Sequence, residues 1–272
     1  MRRDWSRRIF RFMNIALTIA GSDSGGGAGI QADLRTFQRF DVFGTSVITA
    51  VTAQNTLGVR EWESVSPRLI RAQIDAVAID LFPGAFKTGM LGTAAAARAV
   101  LDGIRENALR SYVFDPVMVA SSGDHLIEDD TLRLMREDLL PQAILITPNI
   151  HEAGALLGMS VKTTADAERA AEKLVLELGA GAALVTGGHV AGEEVIDVLY
   201  MNGIRLFRGP RIESRHTHGT GCTLSAAITG GITLGQPLED AVSAAISYVR
   251  AAIAAAPGLG SGNGPIGSPP IR

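Results

Sequence analysis

Short apolar runs alternate along this chain with longer stretches in which apolar positions recur every three or four residues, the pattern of buried strands alternating with amphipathic helices. The run over 14–20 is closed by glycine, as a strand covered on both faces should be. Gly21-Ser-Asp-Ser-Gly-Gly-Gly-Ala-Gly29 then forms a flexible turn into a helix over 30–40, with Ile30, Leu34, Phe37 and Phe40 on its apolar face. The β-branched run over 45–53 predicts a second strand. Pro67 opens a helix with Ile70, Ile74, Val77 and Leu81 on one side. The alternation continues with a strand over 85–88, a helix over 93–106, a strand over 112–114, a helix over 130–138 and a strand over 143–147. A helix from about His151, a helix over 166–178 and a strand over 182–186 follow. Asn202-Gly203, between strand patterns at 195–201 and 205–207, is the dipeptide of a tight hairpin, and helices over 221–234 and 238–256 close the body.

This order predicts one doubly wound α/β domain over 13–256, with a mostly parallel central sheet, helices on both faces and a β-hairpin at the edge. Composition agrees: 46% of residues are apolar and only 19% charged, with 31 glycines, which suits buried Ala/Val/Ile/Leu elements joined by tight turns. Residues 1–12 carry five arginines but neither the apolar middle nor the cleavage site of a secretory signal, and read as a loose extension. The tail over 257–272 holds nine Gly or Pro in sixteen residues and is expected to be disordered. A net charge of −3 with an acidic body argues against nucleic acid as a partner. The single cysteine allows no internal disulfide, and no apolar stretch approaches the ~18 residues of a membrane span, so a cytoplasmic enzyme without a membrane partner is expected.

The chemistry gathers where predicted strands end. His218-Gly-Thr-Gly-Cys222 precedes a helix, so its amides and the helix N-terminus predict an anion socket, and the helix field is expected to favour the thiolate of Cys222. The loop over 21–29 lacks a P-loop lysine, since Gly27 stands in its place. It matches a dinucleotide fingerprint only in part, since no acid lies over 46–53 to hold a ribose. Thr52 and Gln54 share one face of a strand end, and a carboxamide offers both donor and acceptor to an aminated heteroaromatic ring. Asp115, locked by Pro116, lies at the carboxyl edge of a buried strand. Asn149 and Glu152, three apart at a helix start, suit magnesium and nucleotide phosphates or, alternatively, a helix cap. Position 155 is alanine, which excludes a zinc-protease helix at His151-Glu152; His125, His189, His216 and His218 lack ligand spacing and read as loop or polar-network residues.

Taken together, Gly21-Ser-Asp-Ser-Gly-Gly-Gly-Ala-Gly-Ile-Gln-Ala-Asp33, Val51-Thr-Ala-Gln-Asn-Thr56, Lys87-Thr-Gly-Met-Leu91, Asp115-Pro-Val-Met118, Thr147-Pro-Asn-Ile-His-Glu152, Gly187-Gly-His189 and Thr217-His-Gly-Thr-Gly-Cys-Thr-Leu-Ser225 resemble the hydroxymethylpyrimidine/phosphomethylpyrimidine kinases of thiamine biosynthesis. The resemblance runs from about Met13 to Pro265. It implies a ribokinase-like fold, a homodimer, and transfer of phosphoryl groups from ATP with magnesium, first to the pyrimidine alcohol and then to its monophosphate. It further implies that Gln54 binds the aminopyrimidine, with Thr52 beside it and Gly21, Ala28, Asp33, Met90 and Val117 shaping the pocket. Cys222 would be the base, and Gly219, Thr220 and Gly221 the anion hole. Asp115 and Glu152 would serve the metal, with Asn149, Glu152, Thr186 and Gly188 on the nucleotide. Some members carry lysine where Thr186 stands, so a cationic phosphate contact from that strand end is not expected here. The alternatives are a pyridoxine or pyridoxal kinase on the same scaffold and, in another class, a non-catalytic nucleotide- or metabolite-binding module.

Overall fold

The computed structural model describes residues 13–118 and 129–269; the expectations for residues 1–12 and for His125 fall outside them. Strands β1 (Ile15–Asp23), β2 (Phe43–Asn55), β3 (Gly58–Ser64), β4 (Ala85–Thr88), β5 (Tyr112–Phe114), β6 (Leu145–Ile146), β7 (Ala183–Val185), β8 (Glu194–Tyr200) and β9 (Ile204–Pro210) form one sheet, in the order β3-β2-β1-β4-β5-β6-β7-β8-β9. Strands β2 through β7 in that order are parallel, with antiparallel β3 at one edge and the β8–β9 hairpin at the other. The helices are α1 (Gly29–Arg39), α2 (Pro67–Asp80), α3 (Ala94–Glu106), α4 (Asp129–Leu134), α5 (Ile150–Leu157), α6 (Thr164–Leu176), α7 (Thr220–Thr233) and α8 (Leu238–Ala254). Apolar side chains of α2 to α6 form the core on one face of the sheet, and those of α1, α7 and α8 form the core on the other. The doubly wound architecture is therefore as expected, and among the described residues no helix is long and apolar enough to cross a membrane.

Two elements differ from the sequence reading. Strand β3 has no counterpart in it, because Arg60, Glu61 and Glu63 are exposed on an edge strand where burial imposes no alternation. The tail is not disordered over its described part. Gly264 O accepts the His218 N–H at 3.1 Å, the Ile266 N–H reaches His218 O at 3.4 Å, and the Gly267 N–H reaches Ala252 O at 2.8 Å. Its glycines serve close approach: a Cβ at Gly262 would stand 2.1 Å from Thr56 O. The Gly/Pro composition thus encodes a strap laid across the β2–β3 turn and the His218 loop, and the described part of the tail packs on the domain.

The chain turns from one half of the sheet to the other between β1 and β4, and a charge is buried there. Lys87, on β4 beside Thr18 of β1, is completely buried. Its ammonium donates to Asp33 Oδ1 at 2.9 Å, Ser225 Oγ at 2.7 Å, Asp115 Oδ2 at 3.4 Å and Cys222 O at 3.5 Å. Thr18 Oγ1 donates to Asp33 Oδ2 at 2.6 Å, and Ser225 Oγ donates to Asp115 Oδ2 at 2.9 Å. Burial disfavours the ammonium, but the charges of Asp33 and Asp115 outweigh it and raise its pKa, so Lys87 is charged. This corrects one expectation: Asp33, read as shaping a substrate pocket, is sealed with both oxygens engaged and serves as a counter-ion.

Removing one member of such a set leaves uncompensated buried charge. Lys87→Met should therefore cost about 3–5 kcal/mol of stability in urea denaturation, and a change below about 1 kcal/mol would mean that the two aspartates do not depend on it. Ile266 is buried at 9% exposure, so Ile266→Ala should cost about 2 kcal/mol in the same measurement, where a disordered tail would give no change.

Candidate active site

Helix α7 starts in the middle of the carboxyl edge of the sheet. Its N-cap, Gly219, has φ of +85°, and a Cβ there would lie 2.0 Å from Gly27 O, so this approach of two loops admits only glycine. The first-turn amides of Thr220, Gly221 and Cys222 follow, and a Cβ on Gly221 would stand 4.0 Å from Asp115 Oδ1. The anion socket and Asp115 are thus adjacent. The Thr220 hydroxyl turns back to Thr217 O.

Cys222 departs from its expectation. Its sulfur accepts the Gly29 N–H and lies near Lys87, yet burial, reinforced by Asp115 and Asp33, pushes the thiol up to about 12. The helix field does not produce a thiolate here, and the group rests as a neutral thiol.

A second cluster lies at the ends of β1 and β2. Met90, Val117, Ala50 and Trp62 form a small apolar cluster, and a Cβ on Gly21 would come within 3.2 Å of Met90 Sδ. Gly21, Met90 and Val117 are therefore brought together. Ala28 is the N-cap of α1, and its N–H goes to Asp23 Oδ2 at 2.8 Å. Gln54 stands at the end of β2, its Nε2 placed 3.3 Å from His218 Nε2 and its Oε1 3.2 Å from the Thr52 hydroxyl. His218 Nε2 is also 2.9 Å from Asp23 Oδ2. Burial disfavours charge on Asp23, but the His218 bond and the N–H groups of Ala28 and Gly25 outweigh it and hold the carboxyl below its usual range. His218 is a network histidine, as its sequence context indicates.

The other end of the edge carries the acidic and glycine motifs. Asn149 caps α5: its Oδ1 accepts the N–H groups of His151 at 2.9 Å and Glu152 at 3.0 Å, while Glu152 Oε2 accepts the Asn149 N–H at 2.8 Å. The capping role is thus real, but Glu152 does more than cap. Burial first, then Asp115, pushes its carboxyl up to about 8, so the two carboxylates lie close enough to sense each other. Among the described residues no group of three or more His, Cys, Asp or Glu side chains is placed to hold a metal ion. Two neighbouring oxygen donors, with water and phosphate completing the shell, fit magnesium rather than zinc. Thr186 bridges to Asn149, which joins the ends of β6 and β7, and Gly188 faces open space. Arg211, absent from the sequence reading, donates to Gly188 O at 2.9 Å and Gly192 O at 2.7 Å. Lys87 was legible only as an anomaly, a cation inside a four-residue buried strand.

Along the edge, Gln54 and Gly21 lie near the ends of β2 and β1, and Met90, Asp115, Asn149 and Thr186 follow β4, β5, β6 and β7, and these six strands are consecutive neighbours in the sheet. The Phosphomethylpyrimidine kinase family profile matches residues 23–267. A hydroxymethylpyrimidine/phosphomethylpyrimidine kinase of Rhizobium meliloti (strain 1021) is 51% identical over 257 residues, spanning 93% of this chain and 96% of the relative. One of Bacillus subtilis (strain 168) is 46% identical, spanning 92% and 93%. Among solved structures, an ADP complex of Bacillus subtilis pyridoxal kinase superposes with a TM-score of 0.89 at 37% identity, covering 96% of this chain and 99% of that one. The phosphomethylpyrimidine kinase of Clostridium difficile 630 gives 0.79 at 38% identity, covering 88% and 99%. With a profile spanning nearly the whole domain and relatives matched along nearly their full length, this chain belongs to the phosphomethylpyrimidine kinase family.

Proposed function

We propose that this protein is a cytoplasmic homodimer that phosphorylates 4-amino-5-hydroxymethyl-2-methylpyrimidine, and then its monophosphate, from ATP with magnesium. The observation that carries the reading is the order of groups along one sheet edge: a carboxamide at β2, an amide socket beside Asp115 in the middle, and Asn149, Glu152, Thr186 and Gly188 at β6 and β7. That order suits an aminated ring, a moving phosphoryl group and a nucleotide bound in line. The socket amides of Gly219, Thr220 and Gly221 would stabilise charge on the phosphoryl oxygens, which is the main demand of such a transfer. Asp115 and Glu152 would hold magnesium, which when bound neutralises phosphate charge. Asn149, Thr186 and Gly188 would border the nucleotide, and Gln54 and Thr52 the ring, over the floor made by Gly21, Met90 and Val117, with Ala28 at the start of α1.

Cys222 stands where the alcohol must lose its proton. As a thiol near 12 it is not a ready base, and Asp115 is one of the charges that hold the proton on sulfur. Neutralising Asp115 removes that contribution and brings the thiol back toward use. The second substrate, a phosphate monoester with a second pKa of about 6, is already ionised at neutral pH and asks less of a base.

The pyridoxal reading has one observation of its own, the overlap with the Bacillus subtilis pyridoxal kinase. Steady-state assays with the pyrimidine alcohol, its monophosphate and pyridoxal separate the two: kcat/KM should favour the pyrimidine by at least about tenfold, and a preference for pyridoxal would reverse the assignment. No ATP turnover with any of them would leave a binding module. In the same assays Cys222→Ala should slow phosphorylation of the alcohol by about 10²-fold or more and of the monophosphate far less. Equal losses would assign the sulfur to packing.

A further inference from the structure

In the cluster of Asp23, His218, Gln54 and Thr52 the placement of protons decides which way the Gln54 amide points. The two ends of a carboxamide are told apart by their partners. His218 Nε2 is 2.9 Å from Asp23 Oδ2, and a carboxylate held ionised can only accept, so Nε2 carries the proton and donates it. As placed, Gln54 Nε2 faces His218 Nε2 at 3.3 Å and Oε1 faces Thr52, but a nitrogen that carries its proton cannot accept from an amide N–H, so the amide is better satisfied reversed, with its carbonyl oxygen toward His218 and sharing the Nε2–H with Asp23. Its nitrogen then faces Thr52 Oγ1 at 3.2 Å. The Thr52 hydroxyl has one proton, and Ser22 O takes it at 3.0 Å, which leaves the hydroxyl oxygen free to accept from the amide. With the amide left as placed, two donors would meet at His218 and the Thr52 proton would be required twice.

We propose that Asp23, acting through His218, fixes the direction of the Gln54 amide and so makes this protein select a ring edge with an exocyclic N–H donor beside a ring-nitrogen acceptor. The inference rests on the pyrimidine kinase reading and adds two positioning residues to it. In the fixed orientation Oε1 shares the His218 Nε2–H with Asp23 and keeps a lone pair, and Nε2 gives one N–H to Thr52 and keeps the other. These match an amino group beside a ring nitrogen in one sense only. An oxo substituent beside a ring N–H presents the reverse order and would leave buried donors facing donors. His218 is itself held at both ends of its backbone by the tail, at Gly264 O and Ile266 N. Its imidazole is buried at 7% exposure, so the orienting group has little freedom of its own.

Two measurements test this. In the ligand-free wild-type protein labelled with ¹⁵N-histidine, His218 should show a protonated Nε2; an unprotonated Nε2 overturns the proposal whatever the substrate. In steady-state assays kcat/KM is compared for the 4-amino pyrimidine alcohol and its 4-oxo analogue. His218→Met, which removes the donor, should lower the amino-to-oxo ratio by at least about tenfold, while His218→Gln, whose side-chain N–H can replace Nε2–H, should keep it within about threefold of wild type. A ratio unchanged in His218→Met, with both substrates slowed alike, overturns the proposal and leaves His218 a packing role. If His218→Met does not melt cooperatively, the histidine spectrum of the wild type decides alone. A wild type that turns over neither pyrimidine sinks the kinase reading, and the spectrum still decides the direction of the amide.

Discussion

A lysine ammonium sealed in the middle of a parallel sheet must be compensated by groups that the fold brings to it, and the rest of the site hangs on how that is done. Lys87 draws in Asp33 from α1, Asp115 from the end of β5, and Ser225 and the Cys222 carbonyl from the first turns of α7. These elements are far apart in sequence and come from both halves of the sheet. The requirement that a buried cation be paired therefore fixes the seating of α7 relative to β5, and with it the distance between the amide socket and Asp115. A hydrophobic contact would hold the same elements with less directional control, since apolar packing tolerates small slides that a set of hydrogen bonds does not.

The same charges decide the state of Cys222, and magnitudes explain why the sequence reading of this residue goes the wrong way. A helix N-terminus stabilises an anion by at most about 2 kcal/mol, and less where it is exposed. Moving a thiol from 9.0 to about 12 represents about 4 kcal/mol in the opposite direction. Burial, Asp115 and Asp33 supply that, and the Gly29 N–H and Lys87 recover only part. The helix start is visible in Gly219-Thr-Gly-Cys222, whereas the two carboxylates beneath it become neighbours of the sulfur only through the fold.

This divides what was legible from what was not. The parallel strands β4 to β7 are short and buried on both faces, so each appears as an apolar run, and the helices between them keep their periodicity. Strand ends bind ligands in such sheets, so Gln54, Asp115, Asn149 and Glu152 could be placed on one edge before any coordinates. Strand β3 was hidden because an edge strand of charged residues carries no burial pattern. The tail was misread because glycine signals both freedom and close approach, and only the contact of Gly262 with Thr56 tells which applies. Asp33 resembles a pocket residue in its motif, yet its partner Lys87 lies 54 positions away, a pairing that no local pattern carries.

Much of the site's precision comes from backbone rather than side chains. The 21–29 loop and the His218 loop meet at Gly27 and Gly219, the tail crosses both the β2–β3 turn and His218, and the Asn149–Glu152 cap fixes the start of α5 beside the end of β7. Each of these contacts is made by groups with a single favourable geometry, so the ends of β1 and β2, the α7 amides and the ends of β6 and β7 are held in mutual register. Glu152 illustrates the result: one carboxyl both closes a helix cap and, by burial first and Asp115 second, is pushed up to about 8, so at neutral pH it mostly holds a proton that a cation would displace. A group tied to the backbone cannot swing away from Asp115, so the carboxyl stays in place to exchange its proton for a counter-charge, which is the condition for a site that is built before its ligands.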